Sequence, residues 1–300
     1  MAYRDSLVSV VIPTYKRPDF LPRAVNSVLN QTHKNVEVIV VDDNNPDTEA
    51  RLRTENIMKQ FDDNPKVKYI KHDKNKNGSA ARNTGARSSK GEYVAFLDDD
   101  DEYMPTRIES MLKRFNELPS DYGVCYSRYI YRMPDGKEIM SQEKKEGNLF
   151  LEALMKELVF GSGSNNLVLR TAYDSIGGYD ESFRRNQDHE FMVRLLQKYK
   201  IAYCDELGLI INVHLEKRNV NLEDTLSHYA ETFRPIVETL SMADQNKFYK
   251  KININLFIYY VSSEHDLKKA WSLISRGKIT VFEALETLWK GAIRVLKRKI

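Results

Sequence analysis

"YVAFLDDDDEYMP", Tyr93 to Pro105, sets an apolar run directly against four consecutive aspartates. The apolar half has the β-branched and aromatic content of a buried strand. Four carboxylates at its end repel one another, and burying them is costly. The pattern predicts a strand end that meets something positive. A calcium loop starting at Asp98 is excluded. Its sixth position, where the sharp turn needs glycine, is Tyr103, and the preceding element is a strand, not a helix.

Upstream, strand and helix patterns alternate. "LVSVVIP" (Leu7 to Pro13) and "VEVIVVD" (Val36 to Asp42) read as strands. Between them Leu21, Ala24, Val25, Val28 and Leu29 keep the spacing of an amphipathic helix. A polar helix from about Thr48 to Phe61 leads to a third strand, "KVKYIK" (Lys66 to Lys71). Gly78 and Ser79 mark a turn and cap before the helix "AARNTGARSSK", and "EYVAFL" (Glu92 to Leu97) is the fourth strand. This alternation predicts an α/β fold, a Rossmann-like, mainly parallel sheet flanked by helices. Its ligand site belongs at the carboxyl ends of the strands. The polar groups at Thr14 to Arg17, Asp42 to Asn45 and Asp98 to Asp101 are therefore expected at one edge.

Downstream the pattern changes. A helix runs to about Leu118, and "GVCYSRYIYR" with the turn at Pro134 to Gly136 predicts a hairpin. Further elements are a helix near Asn148 to Leu158, a strand at Asn166 to Arg170, and an amphipathic helix from Gln187 to Lys198. From about Thr225 the chain reads as helices alone, which places a boundary near residue 220: a catalytic domain over 1–220 and a helical extension over 221–300.

The 300 residues are 41% hydrophobic and 30% charged, the profile of a soluble globular protein. A net charge of only +3 gives no signal for nucleic acid. No apolar run approaches the roughly 20 residues that span a bilayer. The N-terminal segment lacks the basic start and long apolar stretch of a signal peptide. Cys125 and Cys204 form no CxxC pair and are expected to be reduced thiols in a cytoplasmic protein.

A divalent cation shared with a diphosphate answers the repulsion among the aspartates. Mg²⁺ or Mn²⁺ takes oxygen ligands, often one or two carboxylates plus phosphate oxygens. There is no GxxxxGK[ST] loop, and no GxGxxG after the first strand.

Three stretches together, "VSVVIPTYKRPDFLPRAVNSVLNQTHKNVEVIVVDD", "NGSAARNTGARSSKGEYVAFLDDDD" and "GGYDESFRRNQDHEF", resemble glycosyltransferase family 2, over roughly residues 6 to 215. The resemblance implies the GT-A fold and an inverting transfer from a nucleotide sugar, with a UDP-sugar expected. It implies that Pro13, Tyr15 and Arg17 line the nucleotide site and that Asp43 hydrogen-bonds the base. Arg82 also reaches the nucleotide. Asp98, Asp99 and Asp100 span the DxD region, with Asp100 on the metal and Asp98 or Asp99 on the ribose or metal waters. Asp188 matches the general base, and His214 resembles a late histidine directed at metal or diphosphate. Arg184 and Arg185 would add positive charge near the diphosphate. The acceptor implied is a saccharide or lipid-linked saccharide in bacterial surface polysaccharide synthesis. Two departures stand out: Gln187 where the family usually has glutamate before the base, and "DDNNPD" after the second strand. A sugar-nucleotide nucleotidylyltransferase would want a glycine-rich loop that "PTYKRPDF" lacks, and a catalytically weak binding scaffold would lack Asp100 or Asp188.

The last segment carries a separate expectation. Phe282, Leu285, Leu288, Trp289, Ala292, Ile293 and Leu296 recur at helical spacing, opposite Lys290, Arg294, Lys297 and Arg298. A basic amphipathic helix of this kind suits peripheral contact with the inner face of the cell membrane. The alternatives are packing on the catalytic domain and a homodimer.

Overall fold

The computed structural model describes residues 5–214 and 221–297, with side chains to residue 289 in the second stretch. The first two apolar runs form β1 (Val8–Thr14) and β2 (Val36–Asp42), paired in parallel from Val8↔Val36 to Thr14↔Asp42. Both are covered on two faces, which is why they read as near-continuous apolar runs. Between them α1 (Leu21–Leu29) buries Leu21, Ala24, Val25 and Val28. Next, α2 (Glu49–Met58) starts at Thr48, whose side chain accepts from the Arg51 N–H. It ends in a 3-10 turn, Lys59–Phe61. The third run, β3 (Val67–Lys71), joins the far side of β2.

The following helix, α3 (Gly78–Arg87), is capped by Asn77, which accepts from the N–H groups of Ser79 and Ala80. It lies close on β1 because Gly85 has no side chain; a Cβ there would sit 2.2 Å from Val11 Cγ1. The strand before the aspartates, β4 (Tyr93–Phe96), pairs in parallel with β1.

The second half of this unit is mixed. Its elements are β5 (Glu102–Tyr103), α4 (Arg107–Asn116), β6 (Tyr122–Arg132), β7 (Glu138–Met140), α5 (Phe150–Leu154), β8 (Leu167–Leu169), α6 (Arg170–Ser175), α7 (Gln187–Leu196) and β9 (Lys200–Asn212). The nine-stranded sheet runs β3-β2-β1-β4-β8-β6-β9-β5, with β7 paired to β6 as the expected hairpin. Strand β8 is antiparallel to both β4 and β6, while β9 is parallel to β6. Two reversals restore direction, so β9 points the same way as β1, β2 and β4. Their carboxyl ends share one edge, which brings Asn212 and His214 to the aspartates.

The chain divides into two compact units, Met1–Glu216 and Lys217–Ile300. The described part of the second is helical: α8 (Leu222–Val237), α9 (Met242–Ser262), α10 (Leu267–Ser275) and α11 (Val281–Lys297). It has its own small core of Phe257, Tyr260, Ala270, Ile279 and Ala284. Among the described residues no helix is long and apolar enough to cross a membrane. The side chains of Lys290, Ala292, Ile293, Arg294, Leu296, Lys297 and Arg298 lie outside the described residues.

Candidate active site

The Asp98–Asp101 turn closes with the Asp101 N–H on Asp98 O at 3.0 Å. Its four carboxylates meet different partners. Asp98, the most exposed of them, accepts from Arg82 Nη2 at 2.5 Å. Asp99 is fully buried and meets Arg17 Nη2 at 2.8 Å, an ion pair rather than an aligned hydrogen bond. Asp100 pairs with Arg17 Nη1 and lies 3.2 Å from His214 Nε2. Asp101 accepts from Ser164 Oγ at 2.7 Å and from the Asn212 N–H at 3.1 Å.

Burial pushes the Asp99, Asp100 and Asp101 carboxyls up, and their mutual repulsion adds to it. Arg17 holds Asp99 and Asp100 back only in part, and Asp99 reaches about 7. This cluster is one that a cation would relieve. One oxygen from each of Asp98, Asp100 and Asp101 lies within 4.8 Å of the other two. An all-oxygen set suits a hard divalent ion such as Mg²⁺ or Mn²⁺. Asp101 was not singled out in the sequence for this role. His214 stands against Asp100, with its ring 5.0 Å from that of Phe20.

Asp188 lies in the first turn of α7, where the helix dipole favours a negative charge. Its Oδ1 is sealed from solvent and has no aligned hydrogen-bond partner among the described residues, although the Gly163 backbone lies against the carboxylate and helps to hold its pKa down. Burial raises the carboxyl, Arg82 draws it down, and Asp98 raises it again; the net direction is up. Arg82 is buried as well. Burial alone would lower its pKa, but Asp98 and Asp188 more than offset this and keep it a fixed cation between them. Gln187, the first residue of α7, reaches across to the start of α3, accepting from Ser79 Oγ at 3.4 Å. The neutral neighbour of Asp188 therefore faces a helix N-terminus. Arg184, just before α7, is exposed.

The residues expected on the nucleotide side separate into two groups. Tyr15 is exposed in the loop after β1, and Pro13 is partly exposed at the end of that strand. Lys16, with φ of 61°, holds that loop to the next through its N–H on Asn44 Oδ1 at 2.8 Å. Asp43 is buried and already engaged. Its carboxylate takes His72 Nδ1 at 2.7 Å, Asn75 Nδ2 at 2.8 Å, the Lys76 N–H at 2.8 Å and the Asn77 N–H at 3.0 Å. Four bonds use the roughly four acceptor positions of a carboxylate. Asp43 thus organises the loop between β3 and α3.

The segment Gly161–Asn165 carries no signal in the sequence for the contacts it makes. Ser164 bonds both Asp101 and the Asp98 N–H, and Asn165 accepts from the buried Arg107 at 2.9 Å. Gly163 lies against Asp188. The sequence there is a run of small polar residues ahead of a short strand.

The profile of the family described as "Glycosyl transferase family 2" matches residues 9–177, more than half of the chain. The chain belongs to this family. This glycosyltransferase is 25% identical over 257 residues to an "Uncharacterized glycosyltransferase" of Haemophilus influenzae, covering 81% of this chain and 82% of the relative. It is 30% identical over 218 residues to "Uncharacterized glycosyltransferase RT0329" of Rickettsia typhi, covering 69% of this chain and 64% of that one. In three dimensions it is similar to S. aureus TarS 1-349 in complex with UDP-GlcNAc, with a TM-score of 0.63 at 17% identity. That match covers 94% of this chain and 79% of the other, and the shared feature is the GT-A fold.

Proposed function

We propose that this glycosyltransferase inverts the anomeric centre of a nucleoside-diphosphate sugar as it moves the sugar to a hydroxyl of a saccharide or lipid-linked saccharide. The observation that carries the reading is Arg82, a buried cation hydrogen-bonded to Asp98 of the acidic cluster and electrostatically coupled to Asp188. Residues 1–220 form the catalytic part. Asp188 is the general base, and its partial desolvation makes it a stronger proton acceptor than a solvated aspartate. The acceptor oxygen bonds to C1 on the face opposite the diphosphate, the C1–O bond to the diphosphate breaks, and the hydroxyl proton passes to Asp188. Arg82 keeps Asp188 ionised before attack. Asp98, Asp100 and Asp101 would hold the divalent ion with His214 beside Asp100, and Asp99 steadies Arg17. The ion, when bound, offsets the negative charge that gathers on the leaving diphosphate.

Pro13, Tyr15 and Arg17 line the nucleotide side, and Asp43 shapes it through the loop it organises. The UDP-GlcNAc complex of TarS supports a UDP-sugar donor. A role in bacterial surface polysaccharide synthesis, peripheral on the inner face of the cell membrane, follows by analogy. The test is a panel of nucleotide sugars, scored for thermal stabilisation and donor hydrolysis with and without Mn²⁺. Stabilisation by one UDP-sugar, abolished by chelation and restored by Mn²⁺ or Mg²⁺, is expected. Full activity in metal-free protein would remove Asp98, Asp100 and Asp101 from this role.

A further inference from the structure

Helices α10 and α11 pack Ala270, Leu273, Ile274 and Ala284 on the core of the second unit and leave other large apolar residues in water. Ala270 and Ala284 are buried in the core of the second unit, at 3% and 4% exposure. Trp271 is 63% exposed, Phe282 75% and Trp289 65%. Leu267 and Leu285, also exposed, share the faces of Trp271 and Phe282 at i, i+4 and i, i+3 spacing. Trp271 and Trp289 are the only tryptophans in the chain.

This exposure is built in. At the start of α11, Thr280 N–H donates to Glu283 Oε2 at 2.8 Å, and Glu283 N–H donates to Thr280 Oγ1 at 3.2 Å. That reciprocal cap fixes where the helix begins. Glu283 also pairs with Lys250 of α9, which fixes how the helix turns.

Two helices that each hold large apolar side chains in water present docking faces, and tryptophan in particular suits the boundary between water and lipid. Charge selects the occupant. Residues 267–300 hold nine Lys and Arg and only two acidic residues, Glu283 and Glu286. Two copies of so basic a segment repel each other, whereas an anionic surface attracts both. We propose that the outer faces of α10 and α11 dock on an anionic lipid surface, with Trp271 and Trp289 in the interfacial layer. This deepens the peripheral reading above and is independent of the catalytic one.

The tryptophans themselves report the outcome. The full chain is titrated with phosphatidylcholine vesicles with and without phosphatidylglycerol, following tryptophan emission and co-sedimentation. The expected result is a blue shift and sedimentation with the anionic vesicles only, weakened by salt. Trp271→Ala combined with Trp289→Ala should lower partitioning at least about tenfold, since each ring buries ~150 Å² or more when seated. Both positions are exposed, so the thermal midpoint should not move. Three results would overturn the proposal: no response to anionic vesicles, equal response to neutral ones, or a blue shift that tracks protein concentration without vesicles. The last would assign the face to a second copy. No result depends on turnover, so failure here leaves the catalytic reading standing, and the reverse.

Discussion

Gly163 and Asp188 pack so closely that a Cβ on the glycine would lie 2.5 Å from Asp188 Oδ1. The backbone at this glycine is one that alanine can adopt, so the constraint is space alone. Gly163→Ala must therefore push the carboxylate or the segment before β8. Misplacing a reacting group by about 1 Å can cost roughly 10²-fold in rate. We expect Gly163→Ala to lower turnover by about that factor with nucleotide affinity unchanged. Comparing kcat with the dissociation constant for UDP checks this. Normal kcat beside a lowered thermal midpoint would show that the segment before β8, and not the Asp188 carboxylate, takes up the added methyl group.

Asp188→Asn keeps the shape and removes the proton acceptor. The expected loss is about 10²–10⁴-fold when chemistry limits the rate. Donor binding should persist, because Arg82 keeps its bond to Asp98. Single-turnover transfer beside UDP titration separates the two effects. Near-normal single-turnover rates would assign the base elsewhere.

Asp43 yields a prediction that divides two roles. If its work is to organise the loop after β3, Asp43→Asn replaces an acceptor oxygen with a donor NH₂ that faces N–H groups of Asn75, Lys76 or Asn77. Leaving such buried donors unsatisfied costs about 1–3 kcal/mol each. The thermal midpoint should fall even without nucleotide. A variant with unchanged stability and weakened UDP binding would instead identify Asp43 as a contact to the base.

The parallel half of the fold was legible because β1, β2 and β4 bury both faces and so write themselves as apolar runs. Strand β9 was not, although it has 13 residues. Asp205, Glu206 and Gly208 interrupt its pattern where register shifts fall opposite Ser127, Arg128 and Tyr129. Its strand character comes from pairing with β6, a partner about eighty residues away in sequence, which local periodicity does not encode. The acidic turn could be found from sequence because four adjacent carboxylates at the end of a buried strand are tolerable only beside positive charge. Gly163 and Ser164 could not, since their importance lies in what they touch. Asp43 shows the opposite case: the position stood out, while its four partners emerge only once β3 and α3 are folded around it.

His189, next to the candidate base, provides a pH prediction with a definite sign. Its ring packs against Phe160 at 5.4 Å, and burial, with a smaller contribution from Lys156, lowers its pKa to about 4. In the unfolded chain the ordinary value is about 6.5. Above that value the ring is neutral in both states and contributes no pH dependence. As pH falls from about 6.5 to about 4, the unfolded chain binds the proton and the folded one does not, so stability falls. Below about 4 both states are protonated and the loss is complete. A difference of about 2.5 pH units corresponds to at most about 3 kcal/mol. His189→Gln removes this titration while keeping a polar side chain of similar reach. Unfolding free energies of the two proteins, from urea titrations near pH 7 and near pH 4, should differ by an amount that shifts by up to about 3 kcal/mol in the variant's favour at the lower pH. An unchanged difference between the two pH values would mean that His189 is protonated as readily in the folded protein as in the unfolded chain, and that burial beside Phe160 does not hold it neutral.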